Sequence, residues 1–416
     1  MKIVHFTDYY QPAVGYQEAN LAKMHKRLGH EVHVVTSERF FRFPNYEKTY
    51  QKLLGERIRV HGIFKEEGIT VHCLPCFFEY PQSAFLLLKG IKKTLQIIQP
   101  DLLISHGIVG IHPFFSGRIK SQLGYKLIYD HHGAFYNTDL YENILKRIYL
   151  KFWDKFIRPT ILKNADKIVA IGYEEREMAR ELLKIEREAI SIIPLGADTD
   201  RFKPDSGLRV QGRRELAIHD EDLVIVYAGK LTMDKNIHLL LEAFCSIKTT
   251  RTKMKLLLIG NGDSGYVASL KQRARAHQVE DSLIWHDFVP NAELPKYFNA
   301  ADIGVWTGKP ANVIQEAIAT GLPVILRDYP MNRFLVSGDI KCLSDKAHKP
   351  INEEALCGIL IDSSKKDRLD GALLRLIENQ KLRRRMSQLG RKNAIEYFSW
   401  QAIAREFVLS IAGKLS

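Results

Sequence analysis

The sequence predicts an α/β protein made of two doubly wound, Rossmann-like domains facing a cleft. Three observations carry that expectation. The chain opens as strand, loop, helix, strand: residues 2–7 (KIVHFT), a loop holding Gly15, residues 19–28, then residues 31–36 (EVHVVT). This β-loop-α-β order begins a doubly wound sheet. The same grammar starts again at residues 223–228 (LVIVYA). The length, 416 residues, exceeds what one ordinary core organises.

The remaining elements of the first half follow in order. Residues 40–54 read as an irregular aromatic and basic insertion, 69–74 as a strand, and 83–98 as a helix with Lys89, Lys92 and Lys93 clustered. Two short buried strands, 101–105 (DLLIS) and 126–129 (KLIY), run into His106-Gly107 and Asp130-His131-His132-Gly133. Open α/β sheets place ligand contacts at strand C-termini, so His106 and His132 are candidates. Residues 140–157 carry an apolar stripe at helical spacing, Ile144, Ile148, Phe152 and Phe156 with Leu145, Tyr149, Trp153 and Ile157, among Lys146, Arg147, Lys151, Lys155 and Arg158. Two readings fit it: a helix lying on a membrane surface, or one packed on its own sheet with a solvated basic face. Strands at 167–171 and 191–194 close this half, and the polar, turn-rich residues 195–222 read as an interdomain linker.

In the second half, strand 223–228 ends in Gly229-Lys230, with Lys235 five residues on. Strand 255–259 ends in Gly260-Asn261-Gly262, and strand 283–288 ends in Val289-Pro290. Two lysines at one loop-helix entry suit a diphosphate. The stretch 306–327, WTGKPANVIQEAIATGLPVILR, reads as strand end, loop, short helix, turn and buried strand. Asn312 and Gln315 have capping-box spacing, and Gly321 with Pro323 ends the helix. A helix N-terminus at a strand end attracts anions. Glu316, one turn inside, suits hydroxyls such as those of a ribose beside the phosphates.

Composition narrows the function classes. Hydrophobic residues make up 45% and charged residues 26%, the balance of a globular domain. MKIVHFTDYY reads as a first strand and not a signal peptide, and no run reaches membrane-spanning length. A cytoplasmic protein is expected, peripheral at the inner membrane face where its basic and aromatic surfaces meet lipid. The five scattered cysteines read as reduced thiols, and Cys73-x-x-Cys76 lacks the partners that would complete a zinc set. A net charge of +13 favours anionic partners, sugar nucleotides and anionic lipid surfaces. No nucleic-acid module accompanies that charge, so nucleic acid is not expected.

The motifs together resemble family 4 glycosyltransferases of the GT-B fold over nearly the whole chain. The residues that carry the likeness are IPLGADTDRFKP at 193–204, Ala228-Gly229-Lys230-Leu231 with Lys235, Gly260-Asn261-Gly262, Phe288-Val289-Pro290, Glu316-Ala317 with Gly321–Ile325, and Phe398-Ser399-Trp400. The resemblance implies a retaining, metal-independent transferase with no cofactor, moving a sugar from a UDP- or GDP-linked donor to a glycan or lipid-linked acceptor. It implies an acceptor-binding domain at 1–195, with the C-terminal helix 398–416 packing back on it, and a nucleotide-sugar-binding domain at 196–397. Lys230 and Lys235 would neutralise the diphosphate and Glu316 would hold the ribose. Phe288, Val289 and Pro290 would meet the base. Gly15, Gly229, Gly260, Lys309, Asn312 and Val313 would line the donor, His132 would touch the donor sugar, and Glu18 and His106 would lie on the acceptor side. Fixed cations there stabilise charge that grows on the leaving diphosphate.

Two positions leave the family pattern. The first Glu of E-x7-E falls on Gly308, and the paired glycine of the N-terminal loop is Gly15-Tyr16. The expectation is that backbone amides of 309–313 take over donor-sugar binding. Two alternatives fit the same architecture: a nucleotide-sugar epimerase, and a non-catalytic nucleotide-sugar-binding subunit.

Overall fold

The computed structural model describes residues 1–43, 45–80, 85–135, 143–248, 253–308, 311–343, 353–362 and 366–412. The chain divides into two compact units, Met1–Leu195 with Trp400–Ser416, and Gly196–Ser399.

Among the described residues the first unit has ten strands: β1 (Lys2–Phe6), β2 (Glu31–Ser37), β3 (Gly62–Glu66), β4 (Ile69–Leu74), β5 (Cys76–Tyr80), β6 (Phe85–Leu88), β7 (Leu102–His106), β8 (Lys126–His131), β9 (Lys167–Ala170) and β10 (Ile190–Ile192). Eight form one sheet in the order β10-β9-β8-β7-β1-β2-β4-β3. All its pairs are parallel except β3 with β4. Its central strands are near-continuous apolar runs because both faces are covered. On one face Val4, Phe6, Leu103, Leu127 and Tyr129 pack with Trp153, Ile157 and Ile161. On the other, Ile3, Leu102, Ile104 and Ile128 pack against Trp400, Ile403, Phe407 and Ile411 of the C-terminal helix Trp400–Ala412.

The second unit carries β11 (Leu223–Ala228), β12 (Met254–Ile259), β13 (Leu283–His286), β14 (Ile303–Trp306), β15 (Val324–Arg327) and β16 (Gly358–Ile361). Their order, β13-β12-β11-β14-β15-β16, is all parallel, with the direction of winding reversing between β11 and β14. In the first unit the reversal falls between β1 and β7. Such switch points open crevices at the strand C-termini, where α/β proteins bind ligands.

Several local expectations are corrected. Of the helix expected at 83–98, residues 83 and 84 lie outside the described residues, and 85–98 are not one helix. Phe85–Leu88 is a strand paired antiparallel with Cys76–Tyr80, and the helix is only Ile91–Ile98, after Gly90 at φ 89°. An apolar run of this length serves a strand as well as a helix turn, and the hairpin partner decides it. The insertion at 40–54 contains two short helices, Tyr46–Thr49 and Gln51–Leu54, and buries Phe40 and Tyr46. The supposed linker is part of the second unit. Ser206–Glu215 is a helix capped by Asp205, and buried Arg213 donates to the carbonyls of Ala300, His219 and Asp222 and to Asp302 at 2.9 Å. The stripe at 144–157 is split by a π-helical turn, Trp153–Ile157, after the helix Ile144–Phe152. Trp153 and Ile157 enter the core, whereas Ile144, Leu145, Ile148, Phe152 and Phe156 stay exposed.

Because Phe407 is fully buried against the first sheet, Phe407→Ala is expected to cost about 3–5 kcal/mol. Urea unfolding followed by circular dichroism measures this as a lowered midpoint.

Candidate active site

In the first unit the site grows from β7 and β8, whose ends His106 and Asp130 are register partners. Asp130 is wholly buried. Its Oδ2 lies 2.7 Å from His132 Nε2 and 3.0 Å from His106 Nδ1, and accepts from Gln17 Nε2 at 3.3 Å. Burial alone would raise its pKa; the charges and hydrogen bonds of His132 and His106 outweigh that and hold the carboxyl far below the usual range. Burial likewise opposes the charged form of His132, but the Asp130 carboxylate, helped by Glu18 and Glu175, raises its pKa overall. His132 is the partly exposed member, with 30% of its side chain accessible. With Nε2 spent on Asp130, Nδ1 is the nitrogen left for a ligand. Glu18, in the first turn of the helix Gln17–Arg27, is buried. Burial raises its pKa, against the pull of His106 and His132.

The sequence-predicted His132, His106 and Glu18 therefore meet in one cluster, and Asp130 and Gln17, not singled out from sequence, hold it together. The run Asp-His-His-Gly contained the signal for Asp130. Gly15 stands at the exposed turn before this helix with φ 81°, which a glycine adopts without strain. Among the described residues, His106, Asp130 and His132 are the group whose ligand-type atoms lie within 4.8 Å of one another. Their facing atoms are already hydrogen-bonded, and the second nitrogen of His106 is engaged by His5 at 2.9 Å. The set fits a proton-sharing cluster.

In the second unit, Lys230 and Gly308 flank the switch point at the ends of β11 and β14. Two glycine turns meet there backbone to backbone. A Cβ on Gly260 would overlap the Gly229 carbonyl oxygen, and Leu231 N–H donates to Asn261 O at 3.0 Å. Gly308 has its own close neighbour: a Cβ there would overlap Lys235 Cα and come within 2.6 Å of Asp234 O. The absent acidic side chain at 308 thus has a geometric cause, since the strand end packs on the backbone that carries Lys235. Lys230 is exposed and Lys235 half-buried.

Glu316 lies in the helix Val313–Ala319, and its Oε1 accepts from Asn291 Nδ2 at 2.7 Å. Arg201 reaches Asn291 Oδ1 at 3.4 Å. Burial pushes the Glu316 carboxyl up to about 7; Asn291 and Arg201 oppose that shift and Asp198 adds to it. The predicted capping box does not form. Asn312 is itself helical and makes no side-chain cap, while Gln315 turns inward and is buried. Phe288 is exposed, Val289 buried and Pro290 exposed, directly before Asn291. Val313 is half-buried, and Lys309 lies outside the described residues. Asn291 and Arg201 escaped the sequence reading of the site, although Arg201 sits inside the most distinctive motif.

Two doubly wound units, with polar clusters at their strand ends, define a GT-B glycosyltransferase fold. The model for glycosyltransferase family 4 matches residues 15–201, and that for glycosyl transferases group 1 matches residues 210–393. Between them the two models take in most of the chain, which belongs to the family 4-type glycosyltransferases. It is 25% identical over 358 residues to the alpha-monoglucosyldiacylglycerol synthase of Streptococcus pneumoniae, covering 81% of this chain and 73% of that one. It is 24% identical over 321 residues to the D-inositol 3-phosphate glycosyltransferase of Segniliparus rotundus, covering 74% and 67%. The crystal structure of Anabaena HepE in complex with UDP has the same fold, with a TM-score of 0.67 at 16% identity over 99% of this chain and 100% of that one.

Since the atoms facing Gly308 are backbone, Gly308→Ala is expected to lower stability by about 1–3 kcal/mol. Thermal unfolding should show a reduced midpoint, in contrast to Gly371→Ala in the helix Lys366–Glu378, whose Cβ meets nothing within 4 Å and whose φ is not positive.

Proposed function

We propose that the protein transfers a sugar from a nucleotide-diphosphate donor to a lipid-linked or cell-envelope acceptor, with retention at the anomeric carbon and without a bound metal. The observation that carries the reading is Glu316, a half-buried carboxylate aimed by Asn291 at the C-terminal ends of the second sheet. In this reading it accepts hydrogen bonds from the donor ribose. Lys230 and Lys235 neutralise the diphosphate, and residues 288–290 meet the base. His132, oriented by Asp130, contacts the donor sugar through Nδ1, with Glu18 and His106 behind it on the acceptor side. The bond from the anomeric carbon to the diphosphate oxygen breaks, the acceptor oxygen bonds to that carbon, and the acceptor's proton leaves. Charge gathers on the diphosphate, so the two lysines favour the transition state over the bound donor. The complex of HepE with UDP-glucose supports a nucleotide-sugar donor.

The acceptor reading rests on an exposed apolar strip. Ile144 is 67% and Ile148 58% exposed, beside Leu145, Phe152 and Phe156 and interleaved with Lys146, Arg147, Lys151 and Lys155. Apolar residues at headgroup depth flanked by cations suit an anionic bilayer surface. The name of the pneumococcal relative, a monoglucosyldiacylglycerol synthase, points the same way. No described helix is long and apolar enough to cross a membrane.

Three outcomes test this. Transfer from a panel of UDP- and GDP-sugars, followed by release of the nucleotide, should be lost in Lys235→Ala; unchanged turnover there and in Glu316→Ala would refute the site assignment. A proton on Glu316 competes with the ribose, so nucleotide affinity should rise with pH up to about 7, by at most roughly tenfold per unit, and then level off. Titration calorimetry of Glu316→Gln should show weaker and pH-flat binding. Co-sedimentation with phosphatidylglycerol vesicles at low salt should fall in Ile148→Asp; a wild-type protein that stays in the supernatant would end the membrane reading.

A further inference from the structure

A row of buried histidines runs from the active-site cluster to the C-terminal helix. His106 Nε2 lies 2.9 Å from His5 Nδ1, His5 Nε2 lies 3.0 Å from His25 Nδ1, and His25 Nε2 lies 3.0 Å from the Ala404 carbonyl oxygen. His5 and His25 are completely buried, and all members belong to the first unit. They lie in the layer where the C-terminal helix covers the sheet with Ile3, Ile104, Ile403 and Phe407. The carboxylate of Asp130 closes the row at its other end.

The two ends of this row fix its proton pattern. A carbonyl oxygen only accepts, so His25 carries its hydrogen on Nε2. Burial disfavours the charged form of both His25 and His5. A neutral His25 then has a bare Nδ1, which accepts from His5 Nε2–H. His5 in turn has a bare Nδ1, which accepts from His106 Nε2–H. His106 therefore reaches Asp130 with its Nε2 hydrogen already committed. A bare Nδ1 against a carboxylate at 3.0 Å would set two acceptors against each other, so this link holds one further proton.

Resting on the transfer reading above, we infer that His5 and His25 are positioning residues: they set a one-directional tautomer relay from Ala404 that makes His106 a doubly protonated partner of Asp130 and so holds His132 with Nε2–H on Asp130 and Nδ1 left for a ligand. The other titratable groups around the pair are Glu18 on the helix Gln17–Arg27, Glu175 on the helix Tyr173–Leu183, His131 next to Asp130, and His30 beyond His25. None of them supplies the hydrogen-bonded path between His106 and the C-terminal helix. An orienting partner of this kind acts on turnover, because the imidazole it aims is used most fully in the transition state.

The test uses the full chain with ¹⁵N-labelled histidine. Ring-nitrogen spectra should show His25 and His5 as neutral Nε2–H tautomers and His106 protonated on both nitrogens. A bare nitrogen on His106, or Nδ1–H on His25, would overturn the relay. His25→Gln keeps its direction, since the amide N–H can donate to Ala404 O and the amide oxygen can accept from His5. His25→Leu cuts it. His25→Leu should lower kcat by roughly 10- to 100-fold, the range that orienting partners of histidine ligands command, with donor KM little changed. His25→Gln should restore most of that loss. Equal losses in the two variants would mean that position 25 only packs, and would overturn the proposal. The spectra need no turnover, so an inactive wild-type protein would count against the transfer reading while the tautomers still decide the relay.

Discussion

The first unit depends on one buried charge, the Asp130 carboxylate. A carboxylate with no solvent access is stable only when donors surround it. Here the donors come from three places in the chain: His106 on the neighbouring strand, His132 two residues on, and Gln17 on the first helix. Satisfying the Asp130 Oδ2 therefore fixes the ends of β7 and β8 and the entry of the helix Gln17–Arg27 together. The same requirement aims His132, whose Nε2 is taken up by Asp130. Structural and chemical demands meet on one oxygen.

The second unit solves a different problem, how to bring chain turns close together at the strand ends. Its answer is steric. Gly260 and Gly308 occupy places where neighbouring backbone leaves no room for a side chain. At Gly308 this decides between two uses of the position. An acidic side chain there would have to displace the Lys235 backbone, so the chain keeps the close approach and forgoes the carboxylate. The Lys235 backbone is thereby held close by the residue that departs from the family pattern.

Most of the fold was legible in the sequence because buried parallel strands leave a strong record. KIVHF, LLISH, LVIVYA and MKLLLI are apolar runs ended by glycine, histidine or polar residues, and each is a strand of the structure. What was misread was locally ambiguous. Phe85–Leu88 became a strand because Cys76–Tyr80 lies beside it. Ser206–Glu215 looked like linker because its stability comes from Arg213 reaching distant carbonyls, not from an apolar stripe. The stripe at 144–157 had the right composition for a membrane face or a core face; a π-helical turn sends one end of it inward and leaves the rest exposed.

The sequence alone determined the class of the protein, two doubly wound domains carrying glycosyltransferase motifs, because those motifs are short, contiguous and chemically distinctive. It also named His132, Glu18, His106, Lys230, Lys235 and Glu316 as candidates. Only tertiary structure decided their partners. Asn291 meets Glu316 across 25 positions, His5 meets His106 across 101, and His25 meets Ala404 across 379. No periodicity or spacing records such pairs, since a hydrogen bond depends on distance in space and the sheet order that creates that distance is not local in the chain. The protonation and orientation of the site are therefore properties of the fold, and the choice of residues is a property of the sequence.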